Sequence, residues 1–389
     1  MEQMQKDGKK LHPDSHSFDH AIVCWLRSGV PDAAIKVVEL LDKMEEIESG
    51  NKKTQNLLHP RVFEIILRGF SKDVTTGNRE AAKLVLERMI LLSKENTFCK
   101  PTPTILNLAL KSECTESNRK PNEMAAFDAH RLLFDFIKRH RTGEIDVLPD
   151  VVGFNTVISC WANTRHRAVV SKADEIFETM EKLSKIDGLE YIKPDAYTYS
   201  TMMNVYAKSS RRDATKKAEA LVEKIKQNGD TPDNYTYNGL LNVWARSKNS
   251  RKAVHAQNIL KTMINKNLAE TLSFNIVLKA CAQTRGSKEN EKYALEVAQK
   301  TYQDLIASQE MKHDQVSFAT AIKSIHYLSE NKEEREHFFR LYFDDCCKHG
   351  LLSRLVVKEI KNAIPEKDRL SILGHKLVSP FKKDWIRNL

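Results

Sequence analysis

Hydrophobic residues in this chain recur three and four positions apart over a few helical turns, a polar turn interrupts, and the pattern begins again. Spacings of three and four keep side chains on one face of a helix, so each run predicts an amphipathic helix. The runs come in pairs. Val157, Ile158, Trp161 and Ala162 form one stripe, and Ala173, Ile176, Phe177 and Met180 form the next. Leu240, Leu241, Trp244 and Ala245 are followed by Ala256, Ile259, Leu260 and Met263 in the same way. Between them, Met202, Met203, Tyr206 and Ala207 precede Ala218, Leu221, Val222 and Ile225. The small alanine that opens each second stripe lets two helices approach closely, and the bulky residues fill the groove.

The paired stripes belong to a repeat. Residues 194–208 read PDAYTYSTMMNVYAK, 232–246 read PDNYTYNGLLNVWAR, and 149–163 read PDVVGFNTVISCWAN. Self-similarity at a period of about 40 residues means stacked supersecondary units. The same template fits Ile66, Leu67, Phe70 and Ser71 with Ala82, Val85, Leu86 and Met89, and near the start Ala21, Ile22, Trp25 and Leu26 with Val37, Leu40, Leu41 and Met44. It also fits Ala109, Leu110 and Cys114 with Ala129, Leu132, Leu133 and Phe136, and Val277, Leu278, Cys281 and Ala282 with Ala298, Thr301, Tyr302 and Leu305. A last copy shows Ala321, Ile322 and Ile325, with a blurred second stripe. Two segments, 115–124 and 284–292, are polar and read as longer surface turns.

Pro-Asp pairs at 13–14, 149–150, 194–195 and 232–233 mark unit boundaries. Proline disfavours helix in the residue before it, and an aspartate at a helix start can satisfy free amides. The turns break the pattern too often for a heptad to persist, which excludes a coiled coil. The expectation is an all-α fold, an α-solenoid wound as a right-handed superhelix of about eight helix-turn-helix repeats. Residues 15–354 would form the array and 355–389 capping helices. Residues 1–14 form an N-terminal stub, either the tail of a missing preceding repeat or a native short start.

Composition changes this picture little. Of 389 residues, 41% are hydrophobic, enough for units that bury their cores against one another. No apolar run approaches the length of a membrane span, so the chain is expected to be soluble and to have no membrane partner. Cys24, Cys114, Cys160 and Cys281 fall on first-helix stripes and read as core residues, while Cys346 and Cys347 suit neither zinc nor a disulfide framework. The formal charge of +10 points towards polyanions. The first fourteen residues lack both an Arg-rich amphipathic segment and an apolar core, so no targeting peptide is visible. No nucleophile-base pair, metal cluster or phosphate loop appears, so no enzyme, cofactor or small-molecule substrate is expected.

The boundary Pro-Asp, the aromatic-Asn pairs Tyr237-Asn238, Phe154-Asn155 and Phe274-Asn275, and the Ala-to-Met second stripe resemble pentatricopeptide repeat proteins. The likeness runs over about 13–354 and is of the pure-repeat, P-class type, with repeats longer than that family's standard. The resemblance implies a binder of single-stranded RNA that reads one base per repeat. It implies reader pairs formed by the residue after the first-helix aromatic and the last residue of the repeat: Asn107 with Asp150, Asn155 with Asp195, Ser200 with Asp233, Asn238 with Glu270, and Asn275 with Asp314. An amide offers a base edge a donor and an acceptor, and a carboxylate can accept from a base imino group or orient the amide. Asp19 with His59, Glu64 with Thr102, and Ala319 with Arg354 match no usual combination.

By the same resemblance Val152, Tyr197, Tyr235, Leu272 and Val316 would flank the bases, as stacking requires. Arg27, Lys72, Lys208 and Arg246 share a register near the end of the first helix and would contact phosphate. The implied role is RNA processing, stabilisation or translation in a mitochondrion or plastid, with protein partners in RNA processing. A protein-interaction scaffold of tetratricopeptide type is the alternative, but a peptide groove would not need an Asn/Asp pair repeated in register.

Overall fold

The computed structural model describes residues 13–50, 57–72, 78–95, 99–114, 123–209, 211–308, 311–374 and 383–386. Regular structure among them is helical throughout. The helices are α1 Ser15–Arg27, α2 Ala33–Gly50, α3 Pro60–Phe70, α4 Asn78–Glu95, α5 Pro103–Cys114, α6 Glu123–Arg141, α7 Val151–Ala162, α8 Val169–Leu183 and α9 Ala196–Lys208. They continue with α10 Ala214–Gln227, α11 Asn234–Arg246, α12 Lys252–Asn265, α13 Thr271–Ala282, α14 Lys288–Ala307, α15 Gln315–Leu328, α16 Lys332–Lys348, α17 Arg354–Ala363 and α18 Glu366–Leu373. A 3-10 turn, Glu190–Ile192, follows α8, and another spans Lys383–Ile386. The chain is an all-α array of helical hairpins.

Two compact units divide the chain, one ending at Thr201 and the other starting at Met202, so the boundary passes through α9. In the first unit the odd-numbered helices pack in series, α1 on α3, α3 on α5 and α5 on α7, with each even-numbered helix against its hairpin partner. In the second unit α11 packs on α13, α13 on α15 and α15 on α17, while α12 packs on α14 and α16 on α18. Within each unit the odd helices therefore form one row and the even helices flank it, the order expected of stacked two-helix repeats.

Most residues of the stripes read from the sequence are in the core, but in the first stripe only Ile22 is buried, while Ala21, Trp25 and Leu26 are half-buried, as are Leu40, Leu132 and Ile259 in later stripes. Ala82, Ala129, Ala173, Ala218, Ala256 and Ala298, which open the second stripes, are all buried. Trp161, Phe63, Phe70, Phe136 and Phe154 are among the largest fully buried side chains. In the first unit a buried ion network adds to this packing. Arg79 on α4 donates to Glu113 on α5 at 2.7 Å and to Asp128 on α6 at 2.6 Å. Such a network fixes mutual position more surely than it adds stability.

The structure differs from the sequence reading in four places. Cys24 is exposed, because it lies two residues past buried Ile22 and so off that helix face. Cys114 is only half-buried, while Cys160 and Cys281 are in the core. The segment 284–292 is not all turn: α14 begins at Lys288, capped by the Ser287 side chain accepting from the Asn290 amide, so its polar residues are the first turn of a long helix. The companion segment 115–122 lies outside the described residues, as do residues 1–12 of the expected stub.

The last stripe pair is also more regular than it reads. Phe339, Tyr342, Phe343 and Cys346 give α16 a buried face with helical spacing. Beyond it, α17 buries Val356, Val357, Ile360 and Ala363 and packs on α15, while α18 packs on α16. The described helices thus form nine hairpins where about eight were expected. The Lys and Arg residues of this stretch masked its apolar face.

Candidate nucleic-acid interface

Each reader aspartate is first of all a helix cap. Asp150 Oδ1 accepts from Val152 N at 2.8 Å, Asp195 Oδ1 from Thr198 N at 2.7 Å, Asp233 Oδ1 from Thr236 N at 2.8 Å, and Asp314 Oδ1 from Ser317 N at 2.9 Å. These bonds satisfy amides that a helix start leaves free. A hydroxyl three residues on joins at three of the four. Thr198 Oγ1 donates to Asp195 Oδ1 at 2.8 Å, Thr236 Oγ1 to Asp233 Oδ1 at 2.6 Å, and Ser317 Oγ to Asp314 Oδ1 at 3.0 Å.

The same Oδ1 also takes the amide of the preceding repeat's asparagine. Asn107 Nδ2 donates to Asp150 Oδ1 at 2.7 Å, Asn155 Nδ2 to Asp195 Oδ1 at 3.2 Å, and Asn275 Nδ2 to Asp314 Oδ1 at 3.1 Å. Three of the five expected pairs therefore meet, across sequence separations of 43, 40 and 39 residues. A carboxylate only accepts, so the bond fixes which way each amide faces. The Oδ1 atoms of Asn107, Asn155 and Asn275 are buried and accept no hydrogen bond. The aspartate Oδ2 atoms take none of these bonds, and Asp195 and Asp314 are exposed. At these pairs the asparagine orients a carboxylate whose second oxygen remains available as an acceptor.

Two expected pairs behave otherwise. Asn238 and Glu270 are not bonded to each other. Asn238 Oδ1 accepts from Ser273 Oγ at 2.7 Å, while Glu270 Oε1 accepts from Asn234 Nδ2 at 2.5 Å. Ser200, in the first unit, turns its hydroxyl to its own helix, with Oγ donating to Tyr197 O at 3.0 Å; Asp233, in the second unit, caps α11.

Beside each cap, two residues on, stands an exposed apolar side chain. Val152, Tyr197, Tyr235, Leu272 and Val316 range from 44% to 71% exposed. One apolar side chain left in water is ordinary; five at one repeat position mark a surface built to be covered.

The cations expected near phosphate are exposed as well. Arg27, Lys208 and Arg246 end α1, α9 and α11, and Lys72 follows α3. The sequence reading missed two that join Arg246. Lys279 on α13 has its ammonium pushed below the usual lysine range, first by burial and then by the like charges of Arg246 and Lys323. The reading also passed over the hydroxyl three residues after each cap. That signal was legible, since Thr198, Thr236, Ser273 and Ser317 share one register. Among the described residues no cluster of His, Cys, Asp or Glu could hold a metal ion.

Gly153 keeps the first pair in place. A Cβ there would lie 2.3 Å from Asn107 Oδ1 and 2.7 Å from Pro149 Cβ, so the α7 backbone is in direct contact with the amide it must accommodate.

Comparison with known proteins agrees with this architecture. The pentatricopeptide repeat domain matches residues 142–209, 184–246 and 220–284, just over a third of the chain. No curated protein matches the sequence. Among solved structures, the chain is similar to the pentatricopeptide repeat protein PPR10 in complex with an 18-nt psaJ RNA element, with 16% identity and a TM-score of 0.38 over 96% of this chain and 56% of that one. It is similar also to the pentatricopeptide repeat protein PPR10 from maize, with 16% identity and a TM-score of 0.31 over 95% of this chain and 59% of that one. The chain spans a little over half the length of these proteins. The domain match covers residues 142–284, where the paired stripes and the stacked hairpins also run.

Proposed function

We propose that the chain binds single-stranded RNA in a sequence-selective way, one base per repeat, and so acts in RNA processing, stability or translation. The observation that carries this is the recurring module of an oriented carboxylate with an exposed apolar residue two positions on. The apolar residue offers a face for a base to stack on, which is favourable by about 1–3 kcal/mol per base when the residue is aromatic. The carboxylate Oδ2 offers an acceptor to the base edge. Uracil N3–H and guanine N1–H are the imino donors that would meet it. Exposed Lys208 and Arg246, with Lys279 and Lys323, supply positive charge for the backbone. PPR10, to which the chain is similar, was solved with RNA bound. A mitochondrial or plastid site of action and protein partners in RNA processing belong to the same proposal.

By resemblance to the family's pairing, the repeats from Asn107 to Asp314 prefer U, U, G, an unassigned base and U, read 5′ to 3′. The test is binding of this RNA and of a shuffled RNA over a range of salt. The fitted slope of log affinity against log salt should be about −0.7 per phosphate neutralised. Reversing Lys208 and Arg246 to Glu should weaken both RNAs alike. Asn155→Ser should move the preference at the second base from U towards G by about 1 kcal/mol, below the ~1–3 kcal/mol of a good bidentate contact. Equal affinity for ordered and shuffled RNA, unchanged by Asn155→Ser, would refute base reading; no binding to either would refute the function.

A further inference from the structure

Asparagine is followed by glycine twice in this chain, at 228–229 and at 238–239, and the two pairs stand in opposite surroundings. Such a pair can react with itself. The glycine nitrogen bonds to the asparagine Cγ, a succinimide ring closes, and the side-chain amide leaves as ammonia, taking the glycine N–H proton. Water then opens the ring at one of its two carbonyls. One opening gives aspartate; the other gives isoaspartate, in which the chain runs through the former side chain. Water is the only other reactant. Glycine favours the reaction because it has no Cβ to crowd the ring.

Asn238–Gly239 is closed to this chemistry. Both residues lie inside α11, where the glycine amide is committed to the helical hydrogen bond. Asn238 is buried, and its Oδ1 accepts from Ser273 Oγ at 2.7 Å. A Cβ on Gly239 would stand 2.6 Å from Met203 Cβ, so the backbone is packed too tightly for a ring to form on it.

Asn228–Gly229 is open to it. Asn228 is the C-cap of α10, and both residues are exposed. A Cβ on Gly229 would meet nothing within 4 Å. Only the turn itself restrains the pair. Gly229 has a φ of 80°, the left-handed conformation that ends a helix. Its N–H donates to Lys226 O at 3.1 Å, and Asp230 N donates to Ile225 O at 3.1 Å. Fraying of that last turn frees the glycine nitrogen, and helix ends are among the first parts of a protein to open.

We infer that Asn228 is a site of spontaneous modification, where the folded chain converts to aspartate and isoaspartate, while Asn238 in the same dipeptide persists. The product cannot remake the turn. Isoaspartate adds a methylene to the backbone between Ile225 O and Asp230 N, and either product sets a carboxylate at the negative end of the α10 dipole. Conversion therefore releases the last turn of α10. The start of α11 keeps its own cap, since Asp233 Oδ1 accepts from Thr236 N at 2.8 Å.

The test is incubation of the full-length protein at mildly alkaline pH, followed by peptide mass spectrometry. The urea-unfolded chain supplies the rate of each pair without structure. In the folded chain the peptide holding Asn228 should gain the mass of an amide-to-acid change, and isoaspartate in it should accept a methyl group from an isoaspartyl methyltransferase. The peptide holding Asn238 should convert at least about ten-fold more slowly, because a helix interior must open first. Asn228→Gln should abolish the first conversion, since its longer side chain closes the ring poorly. Hydrogen exchange at the end of α10 should be faster in aged than in fresh wild type, and equal in aged and fresh Asn228→Gln. If folded protein converts Asn238 as fast as Asn228, or keeps both intact while the unfolded chain loses both, the site is wrongly assigned. Conversion with unchanged exchange would refute the release of the turn.

Discussion

Gly153→Ala sets two physical effects against each other at one atom. Alanine is favoured over glycine inside a helix by about 1 kcal/mol, so on propensity alone the change would stabilise α7. The added Cβ, however, would stand 2.3 Å from Asn107 Oδ1, 3.2 Å from its Cγ and 2.7 Å from Pro149 Cβ. The proline ring is rigid, so the asparagine must give by about 1 Å to reach ordinary contact. That displacement pulls Nδ2 off Asp150, to which it donates at 2.7 Å. A hydrogen bond to a charged group contributes roughly 1.5–3 kcal/mol, and overpacking costs about 1–3 kcal/mol. These overlap, because breaking the bond is how the strain is relieved, so the net loss after the gain in propensity is about 1–2 kcal/mol. Gly69→Ala is the control. Its Cβ would meet Leu26 Cδ1 and Cδ2 at 2.6 Å and Cγ at 2.9 Å, but all three belong to one flexible, half-buried side chain that can turn away. Repeat arrays do not unfold as one unit, so the assay is hydrogen exchange read peptide by peptide. Peptides from α5 and α7 should exchange about 5- to 30-fold faster in Gly153→Ala, and those from α1 and α3 should change less in Gly69→Ala. Unchanged or slower exchange in α5 and α7 would mean that propensity wins and that Asn107 is not held against the α7 backbone.

Two further outcomes test the packing and its electrostatics. Trp161, fully buried with its ring edge-on to Phe127 at 4.8 Å, and Trp244, stacked on His255 at 3.8 Å, should each cost about 3–5 kcal/mol when changed to Ala, read as faster exchange in their own hairpins; neutrality of both would remove them from the core. His130 is pushed down to about 4, first by burial and then by the Lys172 charge, with Glu175 opposing. Between the ordinary histidine value near 6.5 and about 4, the unfolded chain binds a proton that the folded chain does not, so stability should fall as pH drops through that window. Thermal melts from pH 7 to pH 4 should show a steeper fall for wild type than for His130→Gln, and parallel curves would contradict the buried, neutral imidazole.

Much of this molecule was decided by local pattern. The stripes beginning at Ala173, Ala218 and Ala256 could bury their apolar faces only as paired helices, and the Pro-Asp boundaries set where the first helices of those repeats start. Helical periodicity and caps act over a few residues, so they can be read without knowing what lies opposite. The register of the candidate interface was legible for the same reason, since repetition places equivalent residues at equivalent positions. What each position presents was decided by tertiary structure. Asn155 and Asn238 are the same residue in the same register, yet one donates to Asp195 while the other accepts from Ser273. That difference arises across 35 to 40 residues of sequence, where the packing of one repeat on the next brings a helix start within reach of an amide. The sequence determined which side chains share a helix face, through the local spacing that makes a helix amphipathic; only the packing of neighbouring repeats decided which of their atoms are engaged, because hydrogen-bond direction depends on a partner that spacing along the chain does not specify.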